Sequence, residues 1–231
     1  SAAHYVGFAD SSGKGLAGAE RALDAEILAA GREGRPVPLA LDLRVQGALE
    51  NELRQVAAAH QAIGAVGLIT NVRTGEIIAM SSWPEYDPNT RGSADAMKNR
   101  AAAQVFEMGS TFKVFTVAMG LDSGAASMHS TYDATTPLRM GGRTIHDFHA
   151  KNAVMTLEDV FIHSSNIGTT RLALDIGRDR MVGYFEQLGL FRPAEVELIE
   201  SARPLQPRRW GDNELASASF GHAISVTPLA L

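Results

Sequence analysis

The chain has 231 residues, 45% of them apolar, with a formal charge of −5 and no cysteine. That length suits one large domain, or one domain with a fragment of another, and the apolar content can bury a sizeable core. Net acidity without a dense Lys/Arg block excludes a nucleic-acid or anionic-membrane footprint, and the missing thiols exclude disulfides, thiol catalysis and Cys-zinc centres without deciding the compartment.

No stretch approaches eighteen consecutive apolar residues, and "SAAHYVGFADSSGKG" at the start has neither a basic segment nor an apolar one, so any anchor or signal is expected outside the chain. A Gly/Ser segment from Asp10 to Gly18 leads into a short helical pattern around Leu23, Ile27 and Leu28, and "GREGRPVP" places a boundary near Pro36. From the N-cap Asp42, the apolar residues Val45, Leu49, Leu53 and Val56 recur every three or four positions, which predicts an amphipathic helix to about His60 with that stripe inward. "AVGLIT" and "EIIAMSS" flank "NVRTG" and read as a hairpin. "WPEYDPNT" reads as a loop, and a helix is expected over Ala94 to Gln104.

After Gly109, the run Phe112, Val114, Phe115, Val117, Ala118, Met119 and Leu121 leaves no wide polar face, which predicts a helix buried all round until Asp122-Ser123-Gly124. Thr156 with Asp159 nearly forms a capping box, and "RDRMVGYFEQLGL" predicts a helix ending at Gly189. Helices interleaved with a hairpin indicate a mixed α/β (α+β) domain.

The chemistry concentrates in "EMGSTFKVFTVAMG", where Ser110 lies three positions before Lys113. On a helix that spacing lets the two side chains meet, and desolvation of the lysine favours a neutral amine able to take a hydroxyl proton. Ser110 also sits at the positive helix end, where its own N–H can face a developing oxyanion. The plainer reading is a capping serine and a lysine that snorkels to water. Ser11 and Lys14 repeat the spacing in "DSSGKG", but the glycines around Lys14 prevent an aligned, buried pair, and no catalytic role is expected there. A second element is Ser164-Ser165-Asn166, at a junction between two helical patterns. A hydroxyl and an amide two apart can project there together, or Ser165 and Asn166 can simply cap the following helix.

"EMGSTFK" followed by "SSN" resembles the S-x-x-K and S-x-N elements of penicillin-binding proteins and serine β-lactamases. With "GEIIAMSSWPEYDPN", "MKNRAAAQVFEMGSTFK", "HSSNIGTTRLAL" and "RRWGDNELASASFGHAISVTPLAL", in that order, the chain resembles the transpeptidase domain of class B penicillin-binding proteins, its Trp210 segment being more similar to the division-specific FtsI type than to the elongation-specific type. The resemblance implies a serine acyltransferase fold, related to β-lactamases, with helices packed on an antiparallel sheet. Residues 1–36 would be the end of the non-catalytic pedestal and residues 37–231 the N-terminal part of the transpeptidase domain.

It further implies that Ser110 attacks the D-Ala-D-Ala peptide of a peptidoglycan stem. Lys113 would be the base, Ser164 the proton relay, and Asn166 a ligand of the substrate backbone and of Lys113. No metal or cofactor is implied. Stem peptides, β-lactams and, in the full-length protein, divisome membrane proteins are the implied partners, at the periplasmic face of the inner membrane behind an N-terminal anchor.

The family's third element, Lys-Thr/Ser-Gly, is absent, since the four lysines are Lys14, Lys98, Lys113 and Lys151. The chain therefore reads as cut short, with weak activity expected of the fragment alone and an exposed sheet edge where strands are missing. His146 and His149 in "HDFH" lack a third metal ligand and read as loop residues. His163 and Ser164, as helix neighbours, do not face each other. Two further classes share the pattern. One is a β-lactamase or β-lactam sensor, separated by penicillin turnover, and the other is a non-catalytic division scaffold.

Overall fold

The computed structural model describes residues 2–231. By contacts they form two compact units, one of residues 2–105, 193–203 and 227–231, the other of residues 106–192 and 204–226. Pro36 lies inside the first unit.

In the first unit α1 (Ala3–Val6), a small antiparallel pair β1 (Phe8–Ala9) and β2 (Gly15–Ala17), α2 (Gly18–Ala22) and α3 (Asp24–Arg32) precede α4 (Leu43–Ala59). Asp42 caps α4 by accepting from the N–H groups of Arg44 and Val45, as its residue type predicts. β3 (Ala65–Thr70) and β4 (Ile77–Trp83) form the expected antiparallel hairpin. α4 lies on it at Gly67, where a Cβ would fall 2.5 Å from Leu49 Cδ1. Met80, Tyr5, Ala2 and Ala101 are the buried centre, with Val66, Leu68 and Ile77 packed against them.

The predicted stripe of α4 needs correcting. Its buried residues are Gln46, Glu50 and Ala57, while Val56 is 52% exposed. The Gln46 amide accepts from the Met80 N–H at 2.9 Å and donates to the Met80 carbonyl at 3.1 Å, doing for β4 what a neighbouring strand would do. Glu50 accepts from Gln46 Nε2 and from the Ala2 N–H. Satisfying backbone polar groups outweighs burying one more valine, because an orphaned buried donor costs about 1–3 kcal/mol.

The helix expected over Ala94 to Gln104 shrinks to α5 (Arg100–Ala103). Asn99 takes an extended conformation to cap it, accepting from the Ala101 N–H. Arg100 is held by Asp95, Gln104 and the Trp83 carbonyl.

The second unit begins with a 3₁₀ turn, Gly109–Phe112, that runs into α6 (Lys113–Asp122). β5 (Thr131–Asp133) pairs antiparallel with β8 (Val154–Thr156), and β6 (Leu138–Met140) with β7 (Arg143–Ile145). Then come α7 (Leu157–Ile162), α8 (Asn166–Ile176), α9 (Arg178–Gln187) and α10 (Asp212–Ser219). The Thr156–Asp159 capping box forms at the start of α7, and Gly189, at φ 75°, follows the end of α9.

α6 is not buried all round as expected. Phe112, Lys113, Thr116, Met119 and Gly120 are covered, whereas Val114 and Leu121 are 46% and 39% exposed. Its neighbours press on one side. Gly120 lies so close to Leu172 of α8 that a Cβ would meet Leu172 Cδ1 at 2.6 Å, and Thr116 Oγ1 donates to the Ser219 carbonyl of α10.

Candidate active site

Gly109 has φ 56°, a left-handed conformation that suits glycine, and it turns the chain into the 3₁₀ segment carrying Ser110. Its N–H donates to the Gly221 carbonyl at 3.0 Å. Gly221 approaches so closely that a Cβ there would sit 1.9 Å from the Gly109 oxygen. On this turn Ser110 is exposed, while Phe112 and Lys113, two and three positions on, are buried.

Only 2% of Lys113 is exposed. Burial disfavours its ammonium and pushes its pKa down to about 8, against the opposing pull of the Asp147 carboxylate. Nζ donates to Ser164 Oγ at 2.9 Å and to the Ser164 carbonyl. Ser164 sits between α7 and α8 with φ 53°, a conformation L-residues rarely adopt. Because its hydroxyl accepts from Nζ, its own O–H proton is available to a third group.

The rest of the junction is braced. Ser165, at the N-cap of α8, accepts from the Gly168 N–H and donates to Asp147 Oδ2 at 2.8 Å. The other Asp147 oxygen accepts from the Ile167 N–H at 2.9 Å. Gly168 permits a tight approach to α7, since a Cβ there would lie 2.4 Å from Val160 Cγ2. Asn166, the first residue of α8, donates from Nδ2 to the His146 carbonyl at 2.9 Å.

Of the four expected site residues, Lys113 and Ser164 are thus brought into direct contact, with Ser110 one short turn before Lys113. Two expected contacts are absent among the described residues. Both side-chain hydrogen bonds of Lys113 go to Ser164 and none to Ser110, and the Asn166 amide bonds to the loop at His146. At the repeated spacing, Ser11 and Lys14 lie exposed in a turn organised by Asp10.

Comparison with known proteins decides the family. A model of the penicillin binding protein transpeptidase domain matches residues 65–231. The chain belongs to the penicillin-binding protein transpeptidase family. It is 60% identical to the probable peptidoglycan D,D-transpeptidase FtsI of Caulobacter vibrioides, over all of this chain and 40% of that protein. It is 32% identical to the peptidoglycan D,D-transpeptidase FtsI of Escherichia coli, over 99% of this chain and 43% of the relative. A crystal structure of penicillin-binding protein 3 from Mycobacterium tuberculosis, complexed with aztreonam, superposes with TM-score 0.84 at 26% identity, covering 99% of this chain and 54% of that one. The mixed helix and strand fold expected from the sequence is therefore the transpeptidase fold, and the chain spans less than half the length of these two curated relatives.

The residue that the sequence alone does not single out is Asp147. The histidines on either side of it read as loop residues, while the carboxylate between them braces the Ser165 junction. An acidic residue in a loop well before S-x-N carries no local signal for such a role.

Proposed function

We propose that the protein containing this chain is a septal peptidoglycan D,D-transpeptidase that works through a Ser110 acyl-enzyme and is acylated by β-lactams. The observation that carries this reading is the buried Lys113 amine, near-neutral in its pKa and bonded to Ser164, one short turn after an exposed serine. In the proposed reaction Ser110 Oγ attacks the carbonyl carbon of the penultimate D-Ala while Lys113 takes the hydroxyl proton. As the C–N bond breaks, that proton passes from Nζ through Ser164 Oγ to the departing D-Ala amine. An amine of a neighbouring stem then attacks the ester, restores the Ser110 hydroxyl and completes the cross-link. Asn166 binds the substrate backbone through its amide.

The relatives named as FtsI transpeptidases support this assignment, and the aztreonam complex of the structural neighbour supports the β-lactam part. The same reading takes residues 1–36 as the end of a pedestal and places the protein at the periplasmic face of the inner membrane, anchored by an N-terminal segment and assembled with divisome proteins. Among the described residues no helix is long and apolar enough to cross a membrane.

Intact-mass spectrometry after incubation with penicillin tests the proposal, on a form extended through a Lys-Thr/Ser-Gly element and on its Ser110→Ala variant. One stable adduct, lost in the variant, is the expected result. Rapid turnover of penicillin would point instead to a β-lactamase, and a folded extended form with neither adduct nor turnover to a scaffold.

A further inference from the structure

Glu107 lies three residues before Ser110, and the proposed chemistry leaves it without a role. Both its carboxylate oxygens are used. Oε1 accepts from the Ala223 N–H at 2.8 Å, and Oε2 lies 3.0 Å from His222 Nδ1, whose N–H donates to it. Those bonds hold the loop after α10 against the segment before the serine, and the seam continues on either side of them. Phe106 and Val226 exchange two backbone hydrogen bonds, Gly109 donates to Gly221, and Thr116 donates to Ser219.

Two features mark the seam as imposed on the loop. Ala223 has φ 62°, a left-handed conformation that a residue with a Cβ avoids, and its N–H is the one that Glu107 holds. The backbone of Gly221 meets Gly109 where no side chain fits. The His222 bond, followed by that of Ala223, keeps the Glu107 carboxyl below its ordinary range, so it is ionised at neutral pH.

We infer that Glu107 is a positioning residue, whose paired bonds to Ala223 and His222 clamp the loop after α10 under the Gly109–Ser110 turn and so set the direction of the nucleophile. The inference rests on the acyl-enzyme reading. A serine displaced by about 1 Å loses on the order of a hundredfold in rate with little change in binding, which separates this role from a purely structural one.

The test is stopped-flow acylation by a chromogenic penicillin, resolved into the pre-covalent dissociation constant and the acylation rate constant, in the intact extended protein. Glu107→Ala is expected to lower the rate constant at least tenfold while the dissociation constant stays within threefold. Glu107→Gln is expected to recover to within threefold of wild type. Its amide oxygen still accepts from Ala223, and its NH₂ donates to His222 Nδ1 once the ring changes tautomer.

A wild-type rate constant in Glu107→Ala, or a loss confined to the dissociation constant, overturns the clamp. So does Glu107→Gln failing as badly as Glu107→Ala, because charge rather than bonding geometry would then be at work. Should Glu107→Ala not fold, His222→Phe removes one of the two bonds and keeps a ring. At least a threefold loss in the rate constant supports the clamp, and an unchanged rate constant overturns it. Absence of any adduct on the wild-type protein sinks the acyl-enzyme reading itself and this inference with it.

Discussion

Ser11 and Lys14 have the same spacing as Ser110 and Lys113, and the molecule treats them differently. The first pair sits in an open turn with Gly13 at φ 83°, where Asp10 accepts from Ser12 and from the Lys14 N–H and the lysine side chain remains in water. The second pair straddles the passage from a 3₁₀ turn to an α-helix, with the lysine buried and tied to Ser164. Spacing is therefore not what makes the chemistry. The burial of one amine and its capture by a residue 51 positions along the chain are what distinguish the two pairs.

The comparison breaks most completely at the nucleophile. Ser110→Ala is expected to abolish penicillin acylation, with Ser11→Ala leaving it intact, as read by intact mass. Next in size, Lys113→Met is expected to slow acylation by about 10²–10⁴, the usual range for loss of a general base. In the wild type the rate is expected to rise with pH through about 8, the pKa to which burial pushes the amine.

The same substitution sharpens the contrast in stability. The Lys113 ammonium titrates at about 8 in the folded chain against 10.5 for the free side chain. Below pH 8 both states are protonated and the folded state bears the whole cost of burial, roughly 3 kcal/mol. From pH 8 to 10.5 the folded state binds fewer protons, so stability rises with pH and the cost fades. Lys113→Met is thus expected to melt above wild type at pH 7, with the gap narrowing across that window in thermal scans.

Asp147→Asn is a smaller disturbance. Loss of its charge-assisted bonds to Ser165 and Ile167 is expected to destabilise by about 2 kcal/mol and to lower acylation by about tenfold. Removing a negative charge that favours the Lys113 ammonium moves the acid limb of the pH profile to lower pH. Smallest of all, Ser11→Ala and Lys14→Ala are expected to change stability by no more than about 0.5 kcal/mol, as exposed positions do.

Much of the architecture was legible because it follows local rules. Asp42 and Thr156 announced their helices, the two β-branched runs announced the hairpin, and the break at Ser164-Ser165-Asn166 was read where it occurs. What stayed hidden depends on partners far along the chain. Gln46 and Glu50 look like the polar face of α4, and nothing local says that a strand edge needs them. Val114 and Leu121 look like core until one sees that α8 and α10 cover a single side of α6. Within the site, residue types and spacing were readable, whereas the left-handed Ser164, the brace at Asp147 and the anchoring of Asn166 at His146 are tertiary facts.

The covering of Lys113 also governs how many molecules are armed at any instant. With the amine at about 8, roughly a tenth of the population at pH 7 carries it neutral, while the remainder waits with a charged, hydrogen-bonded ammonium. Under the proposed acyl-enzyme reading, a β-lactam or stem peptide reaching Ser110 therefore meets a mostly idle nucleophile, and each productive encounter draws on a small ready fraction that proton exchange with water continually refills.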